Sequence, residues 1–312
     1  MSLANLKKNR ADMLNKLKEQ SEKSSSGGSR QQDERMWRPI FDKERGVGSA
    51  VIRFLPAVEG EDMPWAKVIK HAFKGSTGKW YIENSLRTID KSDPVAILNA
   101  KLWSSGVDSD KDIARAQKQK IEYYTNVLVI KDPANPENEG KVKIYRFGPM
   151  IFEMLQEKMF PKFDEDPVNP FDPWDGANFN IKMVGKVLGK DIVPDYTKSS
   201  FGEPSPMCKG NDEEIERVYG EAYKLSEFTA PTNFKSEDEL KRKLFDVLGP
   251  TVGSGVVTVE GLSAPAQAAS RPAPKIREDD DEKAASKATV VADDSDEDED
   301  LAFLKKLVSD ID

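Results

Sequence analysis

The sequence predicts a mainly β chain with helical additions, an α+β fold, and three observations carry that prediction. Residues 126–148 read as two β-branched strands, Asn126-Val-Leu-Val-Ile-Lys131 and Lys141-Val-Lys-Ile-Tyr-Arg-Phe147, joined by a Pro/Asn/Gly loop. From Ser49 to about Phe179 short strand patterns alternate with irregular loops, and Trp37, Trp65, Trp80, Trp103 and Trp174 lie in or beside this stretch as core material. Helical spacing is confined to short segments, one inside this stretch over residues 151–159 and another beyond it over Glu237–Leu248.

Taken in order, residues 2–20 place Leu3, Leu6, Met13, Leu14 and Leu17 near one helical face, with Lys7, Lys8, Arg10, Lys16 and Lys18 on the remainder. Residues 24–30 are Ser/Gly-rich and read as a flexible linker, with order beginning near Trp37. Residues 31–250 hold the strands and short helices. Residues 251–275 are rich in Gly, Ala, Ser and Pro and read as a second linker. The acidic runs within 276–312 repel themselves and do not fold alone. In the last dozen residues Leu301, Leu304, Leu307, Val308 and Ile311 recur at helical spacing, suited either to a frayed end or to a short helix formed against a partner, for which Leu301, Phe303, Leu304, Leu307 and Ile311 are the candidate contacts.

The net charge of −8 argues at first against a polyanion ligand, but its distribution reverses that. Residues 1–30 carry a net +4 and residues 65–147 a net +5, whereas residues 276–312 carry −9. Such a split separates a basic working surface from an acidic tail. The lone Cys208 excludes an internal disulfide and fits a reducing compartment. No apolar run reaches the ~20 residues that span a bilayer, and no signal-peptide core opens the chain, so a cytoplasmic protein is expected. Neither a Gly-rich phosphate loop nor a nucleophile elbow occurs, and the one Cys and one His lie far apart, so no enzymatic chemistry is expected.

In residues 141–147 a period of two puts Lys143, Tyr145 and Phe147 on one face and Val142, Ile144 and Arg146 on the other. Ammonium groups beside aromatic rings offer charge to phosphates and flat surfaces to unstacked bases, which is what a single-stranded nucleic acid requires. Lys79-Trp80-Tyr81 and Tyr123-Tyr124 repeat that combination, with Lys118 and Lys120 just ahead of the second pair. All four of these rings can instead be core, an even choice for Trp80. Adjacent strand residues point to opposite faces, so only one of Tyr123 and Tyr124 need be buried and the other is free to stack. Arg53, between Ile52 and Phe54, is either half of a buried ion pair or a phosphate contact.

Residues 126–148 closely resemble a stretch of the single-stranded DNA-binding proteins of T-even-type phages, the gene-32 product family. Val51-Ile-Arg-Phe-Leu-Pro56, His71-Ala-Phe-Lys74 with Gly78-Lys-Trp-Tyr-Ile-Glu83, and Pro173-Trp-Asp-Gly-Ala-Asn-Phe179 extend the resemblance, and a looser match carries it to about Gly249. It implies a five-stranded oligonucleotide-binding (OB) barrel with an extra subdomain, coating single-stranded DNA cooperatively in phage replication, recombination and repair in the cytoplasm of the infected host. It favours a phosphate role for Arg53, and the candidate DNA contacts become Arg53, Lys74, Lys79, Tyr81, Lys118, Lys120, Tyr123, Tyr124, Lys143, Tyr145, Arg146 and Tyr196. Lys7, Lys8 and Arg10 match the family's basic motif for subunit–subunit contact. Its second copy, Lys118-Gln-Lys-Ile-Glu122, is degraded: Gln119 replaces a cation and Glu122 adds an anion. The acidic tail corresponds to the part that recruits polymerase, helicase loader and recombinase. The family zinc, held by one His and three Cys, falls on His71, Ser85, Asp93 and Ala96, which lack the thiolates of such a site, so no metal is expected. The rival expectations are an interaction adaptor that uses the N-terminal helix and tail without nucleic acid, and, more weakly, a carboxylate hydrolase.

Overall fold

The computed structural model describes residues 33–189 and 191–253, and the backbone at 257–258. Up to Trp37 the chain forms one unit, whose described part is a short strand, β1 (Met36–Trp37), next to an ion pair in which Arg35 lies 2.7 Å from Asp33. All that follows concerns the second unit, from Arg38 onward.

Its strands pair antiparallel throughout. The hub is β5 (Lys120–Lys131), twelve residues long and almost wholly buried from Tyr123 to Val129. β3 (Trp65–Lys74) pairs with its first half, Ala66 facing Tyr124 and Lys70 facing Lys120. β2 (Val47–Phe54) pairs with its second half, Phe54 facing Val127, and a register shift falls between Val51 and Ile52. β6 (Val142–Phe147) returns through the Pro/Asn/Gly loop to pair with β5, Thr125 facing Tyr145. β4 (Trp80–Asn84) forms a hairpin with β3, while β7 (Ala177–Leu188) joins β2 to β8 (Asp191–Asp195) and β9 (Ser200–Pro204). A mainly antiparallel sheet with helices added is the α+β class that the sequence predicts.

One sheet face is an aromatic interior. Phe54 meets Phe147, Phe171, Phe179 and Phe201 at ring-centre distances of 5.5–6.3 Å, and Tyr123 stacks on Phe152 at 3.9 Å. Phe152 belongs to α3 (Pro149–Met159), which spans the helix expected over 151–159. A second core lies at the far end of the β3–β4 hairpin, where Phe73, Tyr81 and Leu86 pack against α1 (Pro94–Ser104), α2 (Asp108–Ala116) and α5 (Glu237–Leu248). α5 has the bounds read from sequence, and Ser236 with Glu239 closes a capping box at its start. α1 and α2, in contrast, sit where short strands and loops were expected. α1 is buried on nearly every side, so it shows no apolar stripe with a polar opposite face, the one signal that separates a short helix from a buried strand. α4 (Asp212–Gly220) covers a third cluster with Leu55, Leu128 and Val142.

The turn of the β3–β4 hairpin is fastened to the end of α5. Ser76 Oγ donates to Leu248 O (2.6 Å) and Thr77 Oγ1 to Val247 O (2.6 Å). A Cβ at Gly75 would lie 2.2 Å from Val247 O, so only glycine permits this approach. Order continues past residue 250, where a linker is expected: Val252 is buried in the helical core, and Thr251 pairs with Thr258. Among the described residues no helix is long and apolar enough to cross a membrane.

Candidate nucleic-acid interface

Strand alternation and the pairing registers divide the β3–β4–β5–β6 ribbon into two faces. Lys70, Ala72 and Lys74 on β3 share one face with Trp80 and Ile82 on β4, with Lys120, Glu122 and Tyr124 on β5, and with Arg146 on β6. Trp80 lies directly opposite Lys74 and is 58% exposed; Ile82, opposite Ala72, is 60% exposed. Lys74 and Lys79 are exposed next to Trp80, Lys120 and Arg146 are exposed further along the same face, and Lys118 is half-buried. Because the hairpin is pinned to α5 at its turn, the indole is presented on a rigid element with cations beside it.

The opposite face is mostly buried, and most of the tyrosines expected to stack on bases lie there. Tyr145 is 2% exposed; burial drives its phenol well up, with the charge of Tyr196 adding to the effect. Tyr123 is buried between Phe147 and Phe152. Tyr81 stacks on Phe73 at 5.1 Å beneath Lys243, and burial, then Asp93 and Glu83, push its hydroxyl far up. Tyr124 is on the outer face as alternation requires, yet it too is buried, because Phe228 of the turn Ser226–Thr229 stacks on it at 4.2 Å. The expectation that one of the Tyr123/Tyr124 pair stays open is therefore corrected: a tertiary contact closes the second face. Tyr196 and Lys143 are half-buried.

Arg53 is 0% exposed, and this corrects its phosphate role in the described conformation. Its Nη2 donates to Asp172 O (2.8 Å) and Pro173 O (3.4 Å), so it holds the loop between α3 and β7. Gly176 supports it, since a Cβ there would come within 2.9 Å of Nη2. The cost of burying the guanidinium appears as a lowered pKa, which Asp172 offsets only in part.

The four positions that the resemblance matches to the family's zinc ligands do come together, as a buried hydrogen-bonded cluster. Asp93 caps α1, with Oδ1 accepting from Val95 N (2.9 Å) and Ala96 N (3.1 Å). Its Oδ2 accepts from Ser85 Oγ (2.9 Å) and Leu86 N (3.0 Å). His71 Nε2 lies 3.5 Å from Asp93 Oδ1, and Nδ1 lies 3.2 Å from Gln117 O. Burial alone would raise the Asp93 carboxyl; the contacts from His71, Ser85 and Ala96 outweigh it and bring it below the ordinary range. Both carboxylate oxygens are committed to donors, Ser85 is spent on Asp93 and Ala96 has no ligating atom. This donor set does not fit a tetrahedral thiolate zinc.

A separate apolar groove of about 630 Å³ is lined by Trp65, Phe160 and Phe171 among others. Phe160 and Phe163 are exposed nearby, but Asp164, Glu165 and Asp166 follow directly, a sign of charge that repels phosphate. The outer ribbon face thus carries the chemistry for a polyanion. Sequence reading set Trp80 evenly between core and surface and passed over Ile82 and Lys70; their alternation with Tyr81 and His71 was the available signal.

Cations around an exposed indole on a fixed hairpin define a binding protein for an anionic ligand with flat, stackable groups. A family model described as gp32 DNA binding protein like matches residues 46–248. The single-stranded DNA-binding protein of Enterobacteria phage T2 is 35% identical over 243 residues, covering 77% of this chain and 78% of that protein. Its counterpart from Enterobacteria phage T4 is 35% identical over 240 residues, covering 76% and 78%. The chain belongs to the gp32-like family of DNA-binding proteins, whose members are named for binding and not for catalysis.

Proposed function

We propose that this protein binds single-stranded DNA without sequence preference, through charge on the phosphates and stacking on Trp80. The observation that carries the reading is Trp80 itself, a large exposed ring opposite Lys74 on a clamped hairpin, in a chain whose relatives are named single-stranded DNA-binding proteins. Lys74, Lys79, Lys118, Lys120 and Arg146 supply the backbone contacts from the expected set. The buried Tyr81, Tyr123, Tyr124 and Tyr145 shape the scaffold, and the strand-rich core serves as an OB-type barrel.

The domain roles belong to the same proposal. Residues 1–23, with Lys7, Lys8 and Arg10, link neighbouring subunits along DNA. Residues 276–312, with Leu301, Phe303, Leu304, Leu307 and Ile311, recruit polymerase, helicase loader and recombinase during phage replication, recombination and repair in the host cytoplasm. These segments lie outside the described residues, and their charge and apolar spacing in the sequence support the assignment. The metal of the wider family is replaced here by the Asp93-centred hydrogen bonds.

Titration with oligothymidylate at several salt concentrations tests the reading. Log K is expected to fall with log salt by about 0.7 per phosphate contacted. A flat response overturns it. The same titration on a long strand is expected to lose its cooperative clustering when residues 1–23 are removed; retained clustering would return that segment to a solvated helix. Removing 276–312 should abolish capture of the replication proteins, and undiminished capture would reject the tail's assignment.

A further inference from the structure

On the outer ribbon face one carboxylate stands where a phosphate is expected. Glu122 Oε2 lies 2.5 Å from Lys70 Nζ and accepts from Tyr124 OH at 2.8 Å, while Oε1 is 3.3 Å from Arg146 Nη1. Tyr124 OH is itself 3.1 Å from Lys70 Nζ. An ammonium, a guanidinium and a phenol converging on one anion form a donor set suited to a backbone phosphate as much as to a carboxylate. Phe228 lies flat on the Tyr124 ring, 17° from parallel.

The cluster lies in line with Lys74 and Trp80, since Lys70 and Lys74 share a face of β3. It is reached from the side of its charged groups: the Arg146 side chain is 49% exposed, and those of Lys70 and Glu122 about a quarter, while the Tyr124 ring behind them is buried. Glu122 is also the anion that interrupts the basic run Lys118-Gln-Lys-Ile-Glu122. Two cations held by a fixed carboxylate have less charge to give to a strand.

We propose that Lys70, Arg146 and the Tyr124 hydroxyl form a site for one backbone phosphate of the bound single strand, and that Glu122 occupies this site in the free protein as an internal competitor. The proposal rests on the single-stranded DNA reading and adds a regulated contact to it. Burial would raise the Glu122 carboxyl, but Lys70, Tyr124 and Arg146 together hold it below the ordinary carboxylate range, so it stays an anion at neutral pH. A phosphate enters by displacing it, and the strand gains at this point only the difference between two anions.

The test is Glu122→Gln, which keeps the shape and a hydrogen-bonding group while removing the competing charge. Oligothymidylate titrations on the full chain are expected to show a slope steeper by about 0.7, which is about fivefold tighter binding at 0.1 M relative to 1 M salt. Adding Lys70→Met to Glu122→Gln should return slope and affinity to the wild-type values. Unchanged or weaker binding by Glu122→Gln, alongside normal salt-dependent binding by the wild type, overturns the internal competitor and leaves the DNA reading standing. A gain that Lys70→Met does not reverse also overturns it, since the effect would then be diffuse charge. Absence of binding by the wild type removes the DNA reading and this site together. Should Glu122→Gln unfold, Glu122→Ser carries the same comparison, with the thermal midpoint confirming the fold.

Discussion

Tyr81 and Trp80 are chain neighbours on β4, yet one ring is 1% exposed and the other 58%. The same contrast recurs along the β3–β4 end of the ribbon. On the inner face Phe73, Tyr81, Tyr123, Tyr145 and Phe147 are buried with His71 among them; on the outer face Trp80 and Ile82 lie open beside Lys74, with Lys120 and Arg146 exposed further along. The residue types are similar: both faces hold aromatic rings near cations. Their environments differ because the inner face meets an aromatic core and the helices packed on it, while the outer face is covered at Tyr124 and over the far ends of β5 and β6 but left open along β4. Aromatic and basic neighbours in a sequence therefore identify a ribbon suited to nucleic acid, and the covering elements select which rings remain available.

The sharpest way to break this contrast is Tyr145→Ala. If the inner face is scaffold, the change costs about 3–5 kcal/mol of stability by leaving a cavity, measured by denaturant unfolding, while the molecules that remain folded bind oligothymidylate normally. Intact stability with lost binding would move Tyr145 back to the interface.

The polar patch of the same inner face gives the next effect. Asp93→Ala removes the α1 cap and strands the partners of both carboxylate oxygens, at a cost of about 2–4 kcal/mol. Chelator is expected to leave the wild-type thermal midpoint unmoved, and a fall would show a bound metal instead of the hydrogen-bonded cluster. The pH dependence has a definite sign. The Asp93 carboxyl is lowered in the folded state, so its contribution is present above the ordinary value of about 3.9 and is lost as pH falls from there toward the folded pKa. Wild type should therefore lose stability more steeply below about pH 4 than Asp93→Ala does.

The outer face should respond in the opposite sense. Trp80→Ala is expected to change stability by no more than ~0.5 kcal/mol, because the ring is mostly in solvent, and to weaken single-stranded DNA binding by about 1–3 kcal/mol. Normal affinity in this variant would show that the indole is not the stacking platform and would redirect attention to the half-buried Tyr196.

By itself the sequence determined the β5–β6 pair, with its loop of Pro, Asn and Gly, because β-branched runs and turn residues are local signals. α5 was legible for the same reason: its apolar stripe and capping box lie within a few residues of each other. The family, too, could be read from four short segments in order. Only the tertiary structure decided that α1 is a helix, since a segment buried on all sides has no periodicity to display. It also decided the fate of Arg53, whose partners are carbonyls some 119 and 120 residues away, and of Tyr124, whose exposure was settled by Phe228 from a distant turn. Alternation along a strand fixes which side chains share a face, but burial depends on what the rest of the chain lays over that face, and that is a long-range property no local pattern contains.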